Sequence, residues 1–357
     1  MADTAAFVAE TEPHRRELFA HCYRMLGSVL DAEDLVQETY LRAWRSYPGF
    51  EGRSSVRTWL YQIATNCCLS ALAADRRRRM LPSGLGAAET DPEAPPGPAG
   101  SEGGSVSWLQ PIPDDRILTQ STDDGDPAAI VAEREGVRLA LIAGLQHLPA
   151  RQRAVLLLRE VLAFPARDVA AMLGTSTASV KSALQRARAT LREHAPDAER
   201  IAEPDEPHTR QLLQRYIAAF ENADPAELER LLMADVTLEA TPIRGWYSGR
   251  RTCLPFLRAY VLGTPGDWRG YATRANGQPA IVGYLRDQTG VHRPYGVTVL
   301  TVVDAGISRV TSFGDPDLVA AFGFPARPPE SAQLGGSASS SASRAATRVA
   351  APSLMPE

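Results

Sequence analysis

Apolar residues recur at helical spacing in two blocks of this chain, with a stretch of different composition between them. The first block covers residues 14–79 and contains two predicted helices. One begins at Asp31, a residue type that caps helix N-termini, and the other runs over Val56–Ala74. The inner face of the first helix is formed by Val36, Tyr40, Ala43 and Trp44. Both patterns indicate amphipathic helices that pack one face against a core.

The second helical block, residues 133–194, ends in a pair of short helices. They are predicted over Ala166–Leu173 and Thr177–Glu193, and three residues join them. Gly174 can adopt the positive φ that ends a helix, and Ser176 can cap the next one. A turn of this length is typical of a DNA-reading helix-turn-helix. An ordinary antiparallel helix pair with a solvated basic face also fits the periodicity.

Residues 208–324 change to a mixed pattern of helices and then strands. Helices are predicted over Thr209–Glu221, Pro225–Met233 and Arg251–Leu262. Strands are predicted over Asp235–Ala240, Arg269–Ala275, Gln278–Leu285, Tyr295–Val303 and Gly306–Ser312. Helices followed by strands with short turns predict an α+β domain with a curved antiparallel sheet.

Two segments lack any period. Residues 81–130 are rich in Pro, Gly, Ser and Asp and are predicted to be a flexible acidic linker, although 108–111 and 116–118 are apolar islands that could anchor on a partner. Residues 325–357 read as a disordered tail. The predicted domains are therefore residues 10–80, 131–196 and 205–324.

The formal net charge of −4 hides an uneven distribution. Residues 133–194 carry ten basic and five acidic side chains, a local excess that is typical of a nucleic-acid-binding surface. No apolar run reaches eighteen residues and the acidic N-terminus lacks the features of a secretory signal, so we expect a cytoplasmic protein without a membrane span. The four cysteines lack the spacing of zinc ligands, so no metal and no cofactor is predicted.

The segment between the two N-terminal helices has a composition suited to single-stranded DNA. It contains glycines, the aromatic Phe50 and small polar groups. Such a loop could hold an extruded base by stacking on it and hydrogen bonding to its edges. A plain turn between core helices fits the same residues.

These segments resemble the extracytoplasmic-function sigma factors of the sigma-70 family. Residues 31–44, DAEDLVQETYLRAW, are similar to the family's polymerase-binding helix. Residues 50–66, which include FEGRSS and TWL, resemble its promoter-melting loop and minus-ten-reading helix. Residues 148–188 resemble its minus-thirty-five-reading domain, and the three blocks occur in the family's order.

The resemblance implies a sigma factor, which breaks no bond in DNA but binds core RNA polymerase, at the beta-prime clamp and beta flap, and promoter DNA. The polymerase-binding residues would be Asp31, Glu33, Asp34, Gln37, Glu38 and Arg42. Minus-ten binding and melting would use Phe50, Arg53, Ser54, Ser55, Arg57, Trp59, Tyr61, Gln62, Thr65, Asn66, Arg76 and Arg77. Minus-thirty-five binding would use Thr177, Ser179, Lys181, Ser182, Gln185, Arg186 and Arg188.

The C-terminal pattern resembles SnoaL-like cones, which some such sigma factors carry as a fused extension. The resemblance lies in residues 213–220 and 234–238. Such cones enclose a pocket, and the candidate lining residues are Trp246, Tyr247, Trp268, Tyr271, Tyr284 and His292, although core packing is the favoured explanation for each aromatic. Glu239 and His292 are the only acid–base candidates, and nothing in the sequence places them together, so no catalytic residue is assigned.

The fold class that follows is multidomain, with two all-α sigma domains, the second containing the helix-turn-helix, and a C-terminal α+β cone. We expect a sigma factor whose cone regulates its activity. Two alternatives are a stand-alone helix-turn-helix regulator, which leaves the acidic helix and the Phe50 loop unexplained, and a small-molecule enzyme in the C-terminal domain. An anti-sigma protein and a small ligand stay open as further partners.

Overall fold

A computed structural model describes residues 2–74, 79–91, 106–117, 136–194 and 206–329. The N-terminal domain is built from the helices α1 (Ala2–Thr11), α2 (Arg15–Leu26), α3 (Val29–Ser46) and α4 (Val56–Ala74). Helix α1 lies outside the predicted block, and its buried Phe7 packs edge-on against Trp44. Arg76 and Arg77 of the minus-ten prediction, and the tail from residue 330 onward, lie outside the described residues.

Helix α3 starts two residues earlier than predicted. Its N-cap is Ser28, whose Oγ accepts a hydrogen bond from the Asp31 backbone N–H at 3.1 Å. The prediction that Asp31 is the N-cap is therefore wrong. Asp31 instead lies in the first turn, where its negative charge is favourable at the positive end of the helix dipole.

The second helical domain contains α5 (Leu139–Gln146), α6 (Ala150–Leu156), α7 (Ala166–Met172) and α8 (Thr177–His194). A π-helical turn extends α6 to Val161. Gly174 has a φ of +59°, and Ser176 Oγ accepts from the backbone N–H of Ser179 at 3.2 Å. The predicted turn and cap between α7 and α8 are thus present, and this pair has the local geometry of a helix-turn-helix.

The C-terminal domain combines four helices with a six-stranded sheet within residues 206–329. The helices are α9 (Pro207–Glu221), α10 (Pro225–Leu231), α11 (Arg250–Phe256) and α12 (Pro316–Ala321). The strands are β3 (Leu232–Thr241), β4 (Trp246–Ser248), β5 (Trp268–Ala275), β6 (Gln278–Arg286), β7 (His292–Val303) and β8 (Gly306–Phe313), in the order β4-β3-β8-β7-β6-β5. Only the β3–β8 pairing among them is parallel. The predicted α+β class is confirmed, while β4 and α12 were not predicted.

The two faces of this sheet pack against different parts of the chain. One face closes with α9, α10 and α11 over a core that includes Tyr216, Phe256 and Leu300. The opposite face, with Val282 and Phe313, belongs to the same buried cluster as the cores of both helical domains. The C-terminal domain is therefore joined to the rest of the chain through the back of its sheet.

The described parts of the linker are packed, which contradicts the prediction of a flexible segment. Strand β1 (Arg79–Met80) pairs in parallel with β2 (Ser107–Trp108). Leu109 and Ile112 are fully buried, and burying such side chains contributes roughly 1.5–3 kcal/mol each. The apolar islands noted in the sequence thus anchor on the chain's own domains, an outcome that composition alone does not signal.

Candidate nucleic-acid and polymerase interface

Helix α8 presents its predicted reading residues to solvent. The exposed positions are Thr177, Ser179, Lys181, Ser182, Gln185, Arg186 and Arg188. Val180 and Ala187 on the opposite side are buried. Side chains of these polar types can reach base edges and phosphates from a helix lying in the major groove. All seven minus-thirty-five candidates are brought together on one open surface.

Two arginines of this surface already have partners within the chain. Arg186 Nη1 donates to Ser182 Oγ at 2.8 Å, and Arg188 Nη2 lies 2.8 Å from Glu160 Oε1. Both pairs are exposed, so solvent screens them and they hold the side chains weakly. These contacts orient the two arginine side chains but leave them accessible to DNA.

The loop before α4 exposes the residues at its centre, whereas the residues at its two ends make contacts within the chain. Phe50 is half-buried, with its ring 4.8 Å from that of Trp59. Arg53 is largely exposed beside Glu51, and Ser54 is exposed as well. Ser55 Oγ accepts from the Thr58 backbone N–H at 3.1 Å and so caps α4. The polar groups available to a flipped base are therefore Arg53 and Ser54, next to the Phe50–Trp59 ring pair.

Helix α4 differs from the prediction at two of its polar residues. Gln62 and Asn66 are exposed, but Tyr61 and Thr65 are fully buried. Thr65 Oγ1 lies 3.0 Å from His21 Nε2, and the Tyr61 ring packs edge-on between His21 and Phe164. In this structure Tyr61 and Thr65 are covered by α2 and the second helical domain, so their assignment to minus-ten DNA stays a prediction.

Arg57 lies at the contact between the two helical domains. Its Nε is 3.0 Å from Glu17 Oε2, and its guanidinium carbon lies 4.9 Å from the centre of the Phe164 ring. Phe164 precedes the helix-turn-helix, so this cation–π contact spans the domains. Arg57, predicted to bind minus-ten DNA, is occupied by the chain itself.

His21 sits in the same buried layer. Burial, with a smaller effect from the Arg24 charge, lowers the pKa of His21 to about 3. The imidazole is therefore neutral at physiological pH, and the pH dependence of folding follows from this difference from the unfolded chain.

The polar face of α3 concentrates acidic groups around exposed apolar side chains. Asp34 and Gln37 are exposed, and Arg42 Nε lies 2.6 Å from Glu38 Oε1. Partial burial, and then the charges of Asp31 and Glu33, raise the pKa of Asp34. Such a face suits a basic partner helix through charge complementarity.

Sequence reasoning missed the apolar part of this face. Leu41 is 51% exposed and Trp44 is 40% exposed, although Trp44 was predicted to point inward. A leucine on the polar side of a predicted amphipathic helix was the available signal. Large exposed apolar side chains beside charges mark an interaction surface more often than a solvated face.

Two acids of this face are covered by arginines, one just before the linker and one within it. Arg79 contacts the Asp31 carboxylate. Arg116 binds Glu33 with two hydrogen bonds of 3.1 and 3.2 Å, and its guanidinium carbon lies 4.4 Å from the centre of the Phe19 ring. The predicted polymerase-binding helix is therefore partly neutralised from within the chain.

A buried asparagine joins all three domains. Asn276 Oδ1 accepts from the Ile112 backbone N–H at 3.0 Å, and its Nδ2 donates to Tyr23 Oη at 2.8 Å and to the Val137 carbonyl at 2.7 Å. We call Asn276 and these partners the Asn276 junction. It connects the β5–β6 turn to the linker, to α2 and to the start of the second helical domain. Asn276 is fully buried, so losing the side chain would leave several polar groups unpaired.

Further linker contacts surround the Asn276 junction. Gln110 Oε1 accepts from Ser28 Oγ at 2.7 Å, and its Nε2 donates to Asp315 Oδ2 at 3.0 Å. Asp114 Oδ1 accepts from the Gly277 backbone N–H at 2.8 Å. An Asn-Gly pair between strands signals a tight turn with two positive φ angles, as found here. The sequence could have located this turn, but the partners of Asn276 come from distant segments.

The predicted pocket residues do not converge. Trp268 borders a cavity in the cone, whereas Tyr247 stacks on Phe256 with ring centres 4.3 Å apart. The others bind backbone oxygens: Trp246 that of Gly86, Tyr271 that of Pro329, Tyr284 that of Pro325, and His292 that of Gly266. Successive strand residues face opposite sides of a sheet, which the sequence-based selection of aromatics ignored.

The acid–base candidates also have separate surroundings. Glu239 is buried on β3, where Oε2 accepts from the Ser83 backbone N–H at 3.1 Å. His292 begins β7 and contacts Gly266. Within the described ranges, no three His, Cys, Asp or Glu side chains group as metal ligands would. Nor does any helix there combine the length and apolarity that crossing a membrane requires.

Comparisons with known proteins match these regions. Residues 11–78 match the model of Sigma-70 region 2, and residues 138–191 match that of Sigma-70 region 4. The ECF RNA polymerase sigma factor SigG of Mycobacterium tuberculosis is 50% identical over 321 residues, which are 89% of this chain and 84% of SigG. SigJ of the same species is 31% identical over 230 residues, 64% of this chain and 63% of SigJ.

A solved structure extends the similarity over the whole architecture. The crystal structure of Mycobacterium tuberculosis SigJ superposes with a TM-score of 0.53 at 24% identity, covering 90% of this chain and 100% of that one. This likeness concerns the fold, including the C-terminal SnoaL-like cone.

Proposed function

The chain belongs to the extracytoplasmic-function RNA polymerase sigma factors, and from this membership we propose that its cone and linker hold it closed until it meets core polymerase. As a sigma factor it binds core RNA polymerase and directs transcription from specific promoters. The proposal concerns which surfaces perform these steps and what controls them. Core polymerase and promoter DNA lie in the bacterial cytoplasm, so the chain would act there.

Each step has a surface of suitable chemistry. The face of α3 with Asp34, Gln37 and Leu41 would dock on a basic helical part of the polymerase clamp. Phe50, Arg53 and Ser54 would capture an unpaired minus-ten base, and the energy of melting would come from binding that state in preference to the duplex. The exposed side of α8 would read the minus-thirty-five element in the major groove.

The closed arrangement is too compact to reach both promoter elements at once. The two promoter elements lie about 25 base pairs apart, or about 85 Å at ~3.4 Å per base pair. A compact chain of this length has a radius of gyration of only ~20 Å. Here the two helical domains touch, since Arg153 donates to the Met25 carbonyl and Tyr61 packs on Phe164. Reading both elements therefore requires the domains to separate.

The Asn276 junction is the observation that carries the regulatory proposal. One side chain of the cone binds both helical domains and the linker at once. Arg116 of the linker so held covers Glu33 on the polymerase-binding helix, and Arg79, just before the linker, covers Asp31. A closed form that dominates the population weakens apparent affinity for the polymerase by the fraction of open molecules.

We propose no catalytic role for the cone. Glu239 and His292 make separate contacts, and a general acid–base pair needs both groups within hydrogen-bonding reach of one substrate. The family is not a family of enzymes.

The test measures core-polymerase affinity and promoter-dependent transcription for matched variants. Asn276→Gly removes the side chain while glycine accepts the positive φ at this position. We expect it to tighten apparent core affinity about tenfold, because loss of one or more buried hydrogen bonds favours the open form. Asn222→Gly, at an exposed helix end in the same domain, should leave affinity unchanged.

Two other results would overturn parts of the proposal. If the intact chain shows no affinity for core polymerase, the assignment of the docking surfaces is wrong. If deletion of residues 204–357 and Asn276→Gly both leave affinity and transcription unchanged, the cone does not regulate this sigma factor.

A further inference from the structure

Helix α1 is attached to the N-terminal domain mainly through one side chain. Among the side chains of residues 4–11, only Phe7 and Thr11 are buried, and the others are exposed. Phe7 is 6% exposed and belongs to the domain core. A helix of ten residues is marginal on its own in water, so α1 depends on this packing for its position. Phe7 also lies ahead of the residues that match Sigma-70 region 2, so that match does not include it.

Polar contacts fix the end of α1 against α3. Tyr40 Oη donates a hydrogen bond to the Thr11 carbonyl at 2.8 Å, and Thr11 Oγ1 donates to the Phe7 carbonyl at 2.7 Å. The guanidinium carbon of Arg15, just after α1, lies 4.5 Å from the centre of the Tyr40 ring. These contacts hold the C-terminal turn of α1 and, with it, the backbone of Phe7.

The ring of Phe7 contacts two rings that belong to different functional surfaces. Its centre is 5.2 Å from that of Trp44 and 5.2 Å from that of Tyr47, and both contacts are edge-on. Trp44 is 40% exposed on the face of α3 assigned to polymerase docking. Tyr47 begins the turn that leads into the loop before α4. An edge-on contact depends on the orientation of both rings, so Phe7 sets the positions of Trp44 and Tyr47 relative to each other.

The ring contacts continue from Tyr47 to the residue assigned to base capture. The centres of Tyr47 and Trp59 are 6.4 Å apart, and those of Trp59 and Phe50 are 4.8 Å apart. We call Trp44, Phe7, Tyr47, Trp59 and Phe50 the ring chain. All five rings belong to the N-terminal domain, so the ring chain persists when the helical domains separate. Close-packed side chains have few alternative arrangements, so moving one ring displaces its neighbours.

We propose that α1, through Phe7, links polymerase docking to capture of the minus-ten base. Polymerase seated against Trp44 would restrict the motion of Phe7 and Tyr47. Tyr47 would then hold Trp59 and Phe50 in the arrangement that stacks on a flipped base. Rings that are already ordered lose less entropy when the base binds, so promoter opening is favoured. Phe7 is a positioning residue, and its role rests on the docking and capture surfaces proposed above.

Hydrogen exchange measured by mass spectrometry tests this link on the full chain, free and bound to core polymerase. Phe7→Leu keeps a buried apolar side chain but has no ring edge to present. In the original chain, polymerase should slow exchange in residues 31–44 and also in residues 47–55. In Phe7→Leu the protection of residues 31–44 should remain, and that of residues 47–55 should fall about fivefold. An edge-on ring pair contributes a factor of about 2 to 12 to an equilibrium, which sets this expectation.

Promoter opening provides a second measurement with the same proteins. On a duplex promoter, Phe7→Leu should form the open complex about fivefold more slowly. A promoter whose minus-ten segment is mismatched is already unpaired and should restore initiation. A variant that had merely lost its fold would bind core polymerase poorly and would initiate poorly on both templates.

Two control variants accompany these measurements. Val8→Ala alters the 49% exposed neighbour of Phe7 in α1 and should behave like the original chain. Leu18→Val trims a fully buried side chain of α2 outside the ring chain, and it should leave the protection of residues 47–55 unchanged despite its cost in stability.

The possible failures are distinguishable. If polymerase does not protect residues 31–44 of the original chain, the docking surface is wrong and the link falls with it. If residues 31–44 are protected but residues 47–55 exchange alike in Phe7→Leu and the original chain, only the role of Phe7 is refuted. Equal slowing of Phe7→Leu on the duplex and mismatched promoters would refute that role as well.

Discussion

Helices α8 and α4 were both predicted to read DNA, yet the chain surrounds them differently. Helix α8 is covered on one side only, and its predicted reading residues are all exposed. Helix α4 is covered by α2 and α3 of its own domain and by the second helical domain, which leaves Gln62 and Asn66 exposed but buries Tyr61 and Thr65. Periodicity identifies the face that a helix turns toward one neighbour. It does not reveal how many neighbours a helix has.

The largest expected effect is a difference in stability between a variant of a buried α4 residue and a variant of an exposed α8 residue. Tyr61→Ala should lower the free energy of unfolding by roughly 3–5 kcal/mol, because it removes a fully buried aromatic side chain. Gln185→Ala, at an exposed position of α8, should change it by less than about 0.5 kcal/mol. Urea unfolding of both variants measures the contrast, and similar values for the two would refute the distinction between the helices.

The next effect concerns specificity at the minus-thirty-five element. Lys181→Ala and Arg186→Ala should each reduce transcription roughly 5- to 150-fold, since a good base contact contributes about 1–3 kcal/mol. Arg167→Ala, an exposed arginine of α7 paired with Asp168, serves as the control.

Lys181 is the only lysine in the sequence, which provides a second readout. Amine-specific acetylation of its side chain should slow when promoter DNA is bound with polymerase. Unchanged transcription in both variants, or unprotected acetylation, would remove α8 from the promoter interface.

A smaller effect follows from the buried His21. Its pKa lies below that of an unfolded histidine, so the unfolded chain takes up a proton first as the pH falls. Stability should therefore be lost progressively below about pH 6.5, by about 1.4 kcal/mol per pH unit, until the folded pKa near 3 is reached. His21→Gln should flatten this slope between pH 6.5 and 5, and His208→Gln, at an exposed position, should not. An unchanged slope in His21→Gln would show that His21 protonates freely.

The smallest effect tests the linker that covers α3. Arg116→Ala should release Glu33 and tighten core-polymerase binding about threefold, because the pair is partly exposed and worth little. Arg215→Ala, which breaks an exposed pair with Glu227 in the cone, should have no effect on binding. Surface plasmon resonance on immobilised core polymerase would compare them, and weaker binding of Arg116→Ala would contradict the masking role.

Turns and helix caps that depend on neighbouring residues could be predicted from the sequence. Contacts with residues far along the chain could not. Gly174 and Ser176 set the turn before α8 through their own backbone and side chain, so the sequence located that turn correctly. Tyr61 and Asn276 owe their surroundings to segments far along the chain, which no window of neighbouring residues contains. The apolar islands of the linker were visible, but the choice between a partner and the chain's own core depends on tertiary packing.

The separation of the two helical domains can be measured by energy transfer between dyes. Cysteines introduced at exposed Glu51 and Ala189 would take the labels, since Cys22, Cys67, Cys68 and Cys253 are all buried. The free chain should show efficient transfer. Core polymerase with promoter DNA should reduce transfer to the level of a separation near 85 Å, the distance between the promoter elements. Efficient transfer that persists in a complex actively initiating transcription would contradict the closed resting state.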